Sequence, residues 1–299
     1  MKMKWFKNAF FALSVFFIFS PITSMAQSPP PVVQGETLWG ISLNGYRNST
    51  PGPSSLYVIN RVTGAGTLIG SDLGYAVNAI AIDPTTGVMY ASTTTWSGAF
   101  NGLLVVDTST GTATEVGEFG GGFTAVLGLT FDSAGQLWGW HDPSEDDPVR
   151  INKTTGVATT VGESGQGTAE QVLAFDASDT LFLFQNEEVY IINQTTGLAV
   201  LDSTLSFDPG LGGGAFDMVT GLLWASETAG RDQDSFIRVT DIAGDSYTDI
   251  DTDVEYLNAL TIGGHYASSN VPAMGLWSVV LLIMLVIGFA AGVLRKRYS

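Results

Sequence analysis

The feature that most restricts this chain is a repeat. Leu56-Tyr57-Val58-Ile59-Asn60 leads within a few residues to Thr63-Gly64, and Leu103-Leu104-Val105-Val106-Asp107 leads to Thr110-Gly111. The pattern returns as Val149-Arg150-Ile151-Asn152 with Thr155-Gly156 and as Val189-Tyr190-Ile191-Ile192-Asn193 with Thr196-Gly197. A weaker fifth copy is Phe236-Ile237-Arg238-Val239-Thr240 with Ala243-Gly244. The glycines Gly64, Gly111, Gly156, Gly197 and Gly244 are spaced by 47, 45, 41 and 47 residues. Self-similarity at such a period belongs to arrays of one supersecondary unit.

A second half-motif lies between these copies. Ala79-Ile80-Ala81-Ile82-Asp83 runs through Thr86-Gly87 to Val88-Met89-Tyr90-Ala91, and Leu127 to Asp132 runs through Gly135 to Leu137-Trp138-Gly139. Val172 to Asp176 precedes Leu181-Phe182-Leu183, and Ala215-Phe216-Asp217 precedes Leu223-Trp224-Ala225. Each unit therefore offers four short apolar segments divided by Gly, Asp, Asn and Thr, the pattern of consecutive antiparallel strands. Five such units predict an all-β fold, a five-bladed propeller of four-stranded blades, one blade per unit. The fifth unit, Leu257 to Ile262, stops at Gly263-Gly264 without its last strand. Leu38-Trp39-Gly40-Ile41-Ser42 has the pattern of Leu137-Trp138-Gly139 and stands alone near the N-terminus. Pairing the two closes the ring and hides the edges that an open sheet exposes. The propeller domain is thus expected at 36–264, 229 residues. The unit resembles the Tyr-x-Ile-Asp-x-x-Thr-Gly repeats of secreted bacterial propellers. It also faintly resembles quinoprotein blades, but the tryptophan that closes each of those and their vicinal cysteine pair are missing.

Both ends of the chain read as targeting segments. Lys2, Lys4 and Lys7 precede the apolar run Ala9 to Phe19, Pro21 breaks it, and Ser24-Met25-Ala26 offers small residues for a peptidase. A signal peptide is expected at 1–26, with its helix, and a Pro-rich linker at 27–35. At the other end, Gly275 to Leu294 is 20 residues without a charge, enough at 1.5 Å per residue to cross roughly 30 Å of hydrocarbon. A stalk at 265–274 precedes this transmembrane helix, and a basic tail at 295–299 follows it, with Arg295, Lys296 and Arg297 held on the cytoplasmic side. The segment Val271-Pro272-Ala273-Met274-Gly275-Leu276-Trp277-Ser278 resembles the Ile-Pro-Thr-Leu-x-x-Trp-Gly box of the IPTL-CTERM sorting signals of Gram-negative bacteria. Pro272 and Trp277 match at the right spacing, Val271 and Met274 are conservative, and Ala273 and Ser278 depart from the usual Thr and Gly. The resemblance covers about the last 29 residues. It implies export through the secretion machinery, recognition by an exosortase-type peptidase, removal of the helix and delivery to the cell surface. A plain anchor in the inner membrane is the alternative.

Charge sharpens once these ends are set aside. The whole chain holds 29 acidic and 12 basic residues, a formal −17. Six basic residues lie in the two signals, so the exported part holds 29 acidic against 6 basic, a net of −23. Such a surface argues against a nucleic-acid partner, which needs a basic face. The absence of cysteine excludes disulfides, thiolate catalysis and thiolate zinc sites.

Candidates for chemistry are few. His141 stands in Trp138-Gly139-Trp140-His141-Asp142, close to Glu145-Asp146-Asp147, which reads as a loop between blades bracketed by Pro143 and Pro148. A histidine beside carboxylates serves as a base or metal ligand, and its alternative is a solvated turn. The other histidine, His265, falls in the stalk. Asp249, Asp251, Asp253 and Glu255 alternate along a segment read as a strand, which puts four carboxylates on one face. Hard oxygens at that density suit Ca²⁺. As an EF-hand the match fails, with Val254 at the glycine position and Leu260 where the bidentate Glu belongs, and a solvated acidic face is the simpler reading. No cofactor other than that ion is expected. The Asn-x-Thr/Ser sequons at Asn152 and Asn193 recur inside the repeat and report turn chemistry, and Asn48 carries the third. Tyr57, Tyr90, Trp138, Phe182, Tyr190 and Trp224 recur where side chains face neighbouring sheets, which assigns them to the core.

The pattern favours a surface-sorted or membrane-anchored propeller that binds a protein or polysaccharide as envelope or matrix scaffold. The alternative is a lyase or hydrolase that uses loop carboxylates at the central channel. The processing account is directly measurable. Intact mass of the protein recovered from cells should begin at Gln27 and end near Val271-Pro272, whereas a sole product that keeps Arg295 to Ser299 establishes the plain anchor.

Overall fold

The structure, a computed structural model, describes residues 37–43, 52–93, 100–142, 146–167, 171–210, 212–228 and 235–263. The expected signal peptide, linker, stalk, transmembrane helix and tail, and with them Val271, Pro272, Met274, Trp277, Arg295, Lys296 and Arg297, lie outside the described residues. Among the described residues every regular element is a β-strand.

Three strands come first: β1 (Thr37–Leu43), β2 (Ser54–Ile59) and β3 (Gly66–Gly70). The first blade then follows as β4 (Val77–Ile82), β5 (Met89–Thr93), β6 (Gly102–Asp107) and β7 (Thr112–Glu118). The second is β8 (Ala125–Phe131), β9 (Leu137–Asp142), β10 (Asp147–Ile151) and β11 (Ala158–Thr160). The third is β12 (Gln171–Phe175), β13 (Leu181–Gln185), β14 (Glu188–Ile192) and β15 (Ala199–Thr204). The fourth is β16 (Gly213–Phe216), β17 (Leu223–Thr228), β18 (Ser235–Asp241) and β19 (Ser246–Asp251). Last, β20 (Leu257–Gly263) joins the three opening strands in the order β20-β1-β2-β3. All pairings are antiparallel. The inner strands β4, β8, β12, β16 and β20 touch in cyclic order. The fold is a five-bladed propeller.

Closure follows the expected pairing. Leu38 lies opposite Ile262 and Gly40 opposite Leu260, and on its other edge β1 pairs Leu38 with Ile59 and Ile41 with Leu56. The phasing of the blades differs from one blade per sequence unit. β3 and β4 belong to one unit but to different sheets, so each blade joins the second half of one unit to the first half of the next. A repeat reads the same from any starting strand. The phase is set by burial: β7, β15 and β19 are largely exposed and make outer edges, while the small residues Ala79, Ala81 and Ala259 let inner strands crowd the axis.

Five buried clusters fill the five gaps between blades, and strand alternation assigns each side chain to one of them. Leu38 and Ile59 pack with Trp224 and Leu257 on one flank of the fifth blade; Ile41 and Leu56 pack with Ile80 and Met89 on the other. The aromatic residues expected in the core sit there: Trp138 meets Phe175 edge-on across the second gap, and Phe182 packs on Phe216 across the third.

The repeated glycines do more than turn the chain. Gly64, Gly111, Gly156 and Gly197 all have positive φ, near +71 to +80°. Each also lies against the backbone of the preceding blade. A Cβ on Gly156 would stand 2.2 Å from the carbonyl oxygen of Gly117, one on Gly197 2.3 Å from that of Gly162, and one on Gly111 2.5 Å from Cα of Gly70. The fifth copy departs from this pattern. There Asp245, not Gly244, takes the left-handed conformation (φ 44°), and its Oδ1 accepts a 2.8 Å bond from the Ser206 amide of the preceding blade.

Gly87 gives the matching control, because its φ is +73° but a Cβ there meets nothing within 4 Å. Gly87→Ala should cost about 1–2 kcal/mol, the left-handed penalty alone. Gly156→Ala should cost at least twice that, since a blade seam must also open. Equal losses in denaturant melts would remove the seam from the account.

Candidate functional site

The inner strands all end alike. The last apolar residue of each, Ile82, Phe131, Phe175, Phe216 or Ile262, is followed by Asp83, Asp132, Asp176, Asp217 or Gly263. Each apolar residue closes one interblade cluster at the channel end. Together with Leu129 and Met218 they line a cavity of about 330 Å³ at the mouth of the central channel, within the range of small-ligand sites. Thr85, Thr130, Ser133, Asp176, Asp179 and Thr261 add polar groups to its wall. Deeper in, Gly128, Gly213, Gly214, Leu173 and Ala259 narrow the channel to about 10 Å³ of space, room for about one water. The cavity is a cup on one face of the ring.

The aspartates that follow the inner strands serve the ring and the cup differently. Asp83 and Asp217 are buried and ion-paired across blade boundaries, Asp83 with Lys153 Nζ at 2.6 Å and Asp217 with Arg61. In both, Lys153 or Arg61 is the residue just after the Asn that opens the outer Thr-Gly turn of the next blade. Burial pushes Asp83 up, but hydrogen bonds from Lys153, Thr85 and Thr86 outweigh it and hold the carboxyl below its ordinary value. Burial acts likewise on Asp217, outweighed by Arg61 and by the Thr220 and Val219 amides. Asp132 accepts from the Gln136 amide and, at 3.3 Å, from the Trp138 indole. Asp176 Oδ1 accepts from the Ser178 and Thr180 amides at 2.9 and 2.8 Å, with no cation beside it among the described residues. Asp179 holds Ser133 across the gap between the second and third blades, accepting from both its amide (2.7 Å) and its hydroxyl.

All four basic residues in the described part are engaged. Besides Lys153 and Arg61, Arg150 donates to the Gln194 carbonyl and stacks over Trp138, and Arg238 grips Asp249 through Nε and Nη2. Arg61 also stacks 4.3 Å from the Trp224 centroid.

The residues singled out from sequence lie elsewhere. Asp249 and Asp251 belong to β19, which ends at Asp251, so the strand expected to carry all four carboxylates stops halfway. Burial nevertheless keeps alternating: Thr252 and Val254 are buried, while Asp249, Asp251, Asp253 and Glu255 are exposed. Asp249 is held by Arg238, and Asp253 Oδ1 accepts from the Gly66 amide of the fifth blade at 2.7 Å. Among the described residues no three acidic or histidine side chains are placed to share a metal ion.

His141 corrects the solvated-turn reading, because it sits in β9, buried, edge-on to Phe123 at 4.8 Å. The segment expected as a loop between blades does not separate two blades: Asp147 opens β10 and pairs with His141 in β9 of the same blade, while Glu145 lies outside the described residues. Asp146 and Asp147 are buried, and Asp147 Oδ1 accepts from the Ser164 amide. Asn152 and Asn193 do hold turns, each Oδ1 accepting the amides two and three residues on. The cup itself went unread, although its signal is present as the apolar residue before each inner-turn Asp.

No family model matches this chain, and no curated protein matches it. Solved structures do. A chain from the crystal structure of a nidogen/laminin complex overlaps 77% of this chain and 99% of its own length with a TM-score of 0.53 at 10% identity. TolB from Acinetobacter baumannii (TM-score 0.44, 10% identity) and a structural genomics protein from Bacteroides thetaiotaomicron (0.49, 13%) each overlap 77% of this chain. They cover 66% and 65% of those chains. The likeness is one of fold.

The interblade ion pairs carry a pH dependence. Both carboxyls are held below their unfolded value near 4, so their contribution is complete above that value and is lost as pH falls through the folded values. Melting temperatures from pH 7 down to pH 3 should therefore fall further for the native chain than for an Asp83→Asn, Asp217→Asn double variant. Parallel curves would show that other carboxylates govern acid sensitivity.

Proposed function

We propose that this chain is an exported binding protein that holds a small ligand in the cup at its channel mouth. The observation that carries the reading is the convergence of all five blades on one apolar cavity whose base is a constriction. The terminal segments supply the address. The N-terminal signal takes the chain across the inner membrane, and the helix from Gly275 to Leu294 anchors it there. An exosortase-type peptidase that reads the Val271-Pro272 box then releases it to the surface of a Gram-negative cell. There the acidic ring serves as an envelope or matrix scaffold for a protein or polysaccharide. The presence of Asp176 and Asp179 in the cup is the one observation that favours a lyase or hydrolase instead. Against it, both Asp179 oxygens accept from Ser133 and so hold a seam between blades.

Ala177 is exposed yet lines the cup, so Ala177→Trp fills the mouth without entering an interblade core. A panel of small molecules and short oligosaccharides, screened by thermal shift on the full-length chain, should give ligands that the variant no longer binds. The melting temperature of the unliganded variant should stay within about 2 °C of the native value. Ligands that bind the variant equally well would move the site away from the cup.

A further inference from the structure

The propeller repeats one arrangement five times, and the copies differ in a way that points to the ligand. At two blade boundaries the inner-turn aspartate receives a cation from the next blade: Lys153 reaches Asp83, and Arg61 reaches Asp217. Both cations occupy one repeat position, immediately after Asn152 or Asn60. The corresponding residue opposite Asp176 is Ile242, immediately after Asp241. Ile242 packs against the core between the third and fourth blades and brings no charge. Asp176 is thus the inner-turn aspartate that lines the cup without a cation among the described residues, and only its Oδ1 takes hydrogen bonds.

The walls beside it are aromatic. Phe131, Phe175 and Phe216 come from three successive blades and line the same cavity. Ring faces attract cations, most strongly where water is excluded. Here the protein already uses that attraction at two other boundaries, with Arg61 over Trp224 and Lys153 Nζ 5.5 Å from the Phe131 centroid. Among the described residues, no Lys, Arg or His lines the cup.

Resting on the cup as the binding site, we infer that it takes a small organic cation, an ammonium group on an apolar body. The ammonium pairs with Asp176 from the cup side, as Lys153 and Arg61 pair with Asp83 and Asp217 at the sibling boundaries, and the apolar body lies among the phenylalanines. An anion is rejected by Asp176 and Asp179, and a neutral apolar molecule lacks the charge that Asp176 is left to meet.

Three probes of similar size test this by calorimetry on the full-length chain: benzyltrimethylammonium, benzyl alcohol and benzoate. Benzyltrimethylammonium should bind at least about tenfold more tightly than benzyl alcohol, and benzoate should not bind. Asp176→Asn should remove that advantage and leave benzyl alcohol unchanged. Ile242→Lys supplies the missing intrachain cation and should also exclude the ammonium probe, so the inference survives a folding failure of either variant. Asp202→Asn, on the exposed outer strand β15, should change nothing. Equal binding of the alcohol and the ammonium, or an ammonium preference that persists in Asp176→Asn, overturns the cation assignment and leaves the cup as a site. Failure of all three probes to bind overturns the cup reading with it.

Discussion

Everything in this fold depends on the ladder that ties the two ends of the strand array together. Strand β1 is seven residues long and lies between β20 and β2. Its alternate residues serve opposite flanks of the fifth blade. Leu38 enters the cluster shared with the fourth blade, and Ile41 enters the cluster shared with the first. Gly40 keeps the Leu38 flank tight, since a Cβ there would press within 2.6 Å of both Ile59 and Leu257 side chains. No blade can bury its two faces alone. Closing the ring therefore converts two exposed apolar flanks into cores, and the entropic cost of the long loop grows only logarithmically with its length.

Once closed, the ring is held at its rim by backbone rather than by long side chains. The Thr-Gly turns bring main chain against main chain at four boundaries, and Asp245 replaces that contact with a hydrogen bond at the fifth. Ion pairs reinforce the channel face at Asp83 and Asp217. The same face holds the cup, so the elements that hold adjacent blades together also fix the positions of its walls. Small residues on the inner strands set the constriction beneath it.

Much of this architecture was legible in the sequence because repetition multiplies a weak signal. A single Val-Tyr-Ile-Ile-Asn run is ambiguous, whereas five copies with glycines at a steady interval specify blades. The orphan Leu38 to Ser42 revealed closure for the same reason. Blade phase was not legible, because alternation of apolar run and turn has no marked beginning and exposure alone separates β3 from β4. For the acidic run from Asp249 to Glu255, sequence shows density and not partners. Arg238 and the Gly66 amide engage two of its four carboxylates. His141 read as part of a solvated turn because acidic residues follow it in sequence, yet β9 carries it inside the sheet. The cup escaped notice because its residues come a few from each blade and meet only around the axis.

Amide hydrogen exchange along β1 is the measurement that bears most directly on closure. A strand laddered on both edges and packed into two cores opens only with the whole ring. The amides of Leu38 to Ser42 should then exchange as slowly as those of Leu181 to Phe184 in β13, deep in the third blade. Rapid exchange along β1 while β13 stays protected would mean that the ring does not depend on this strand.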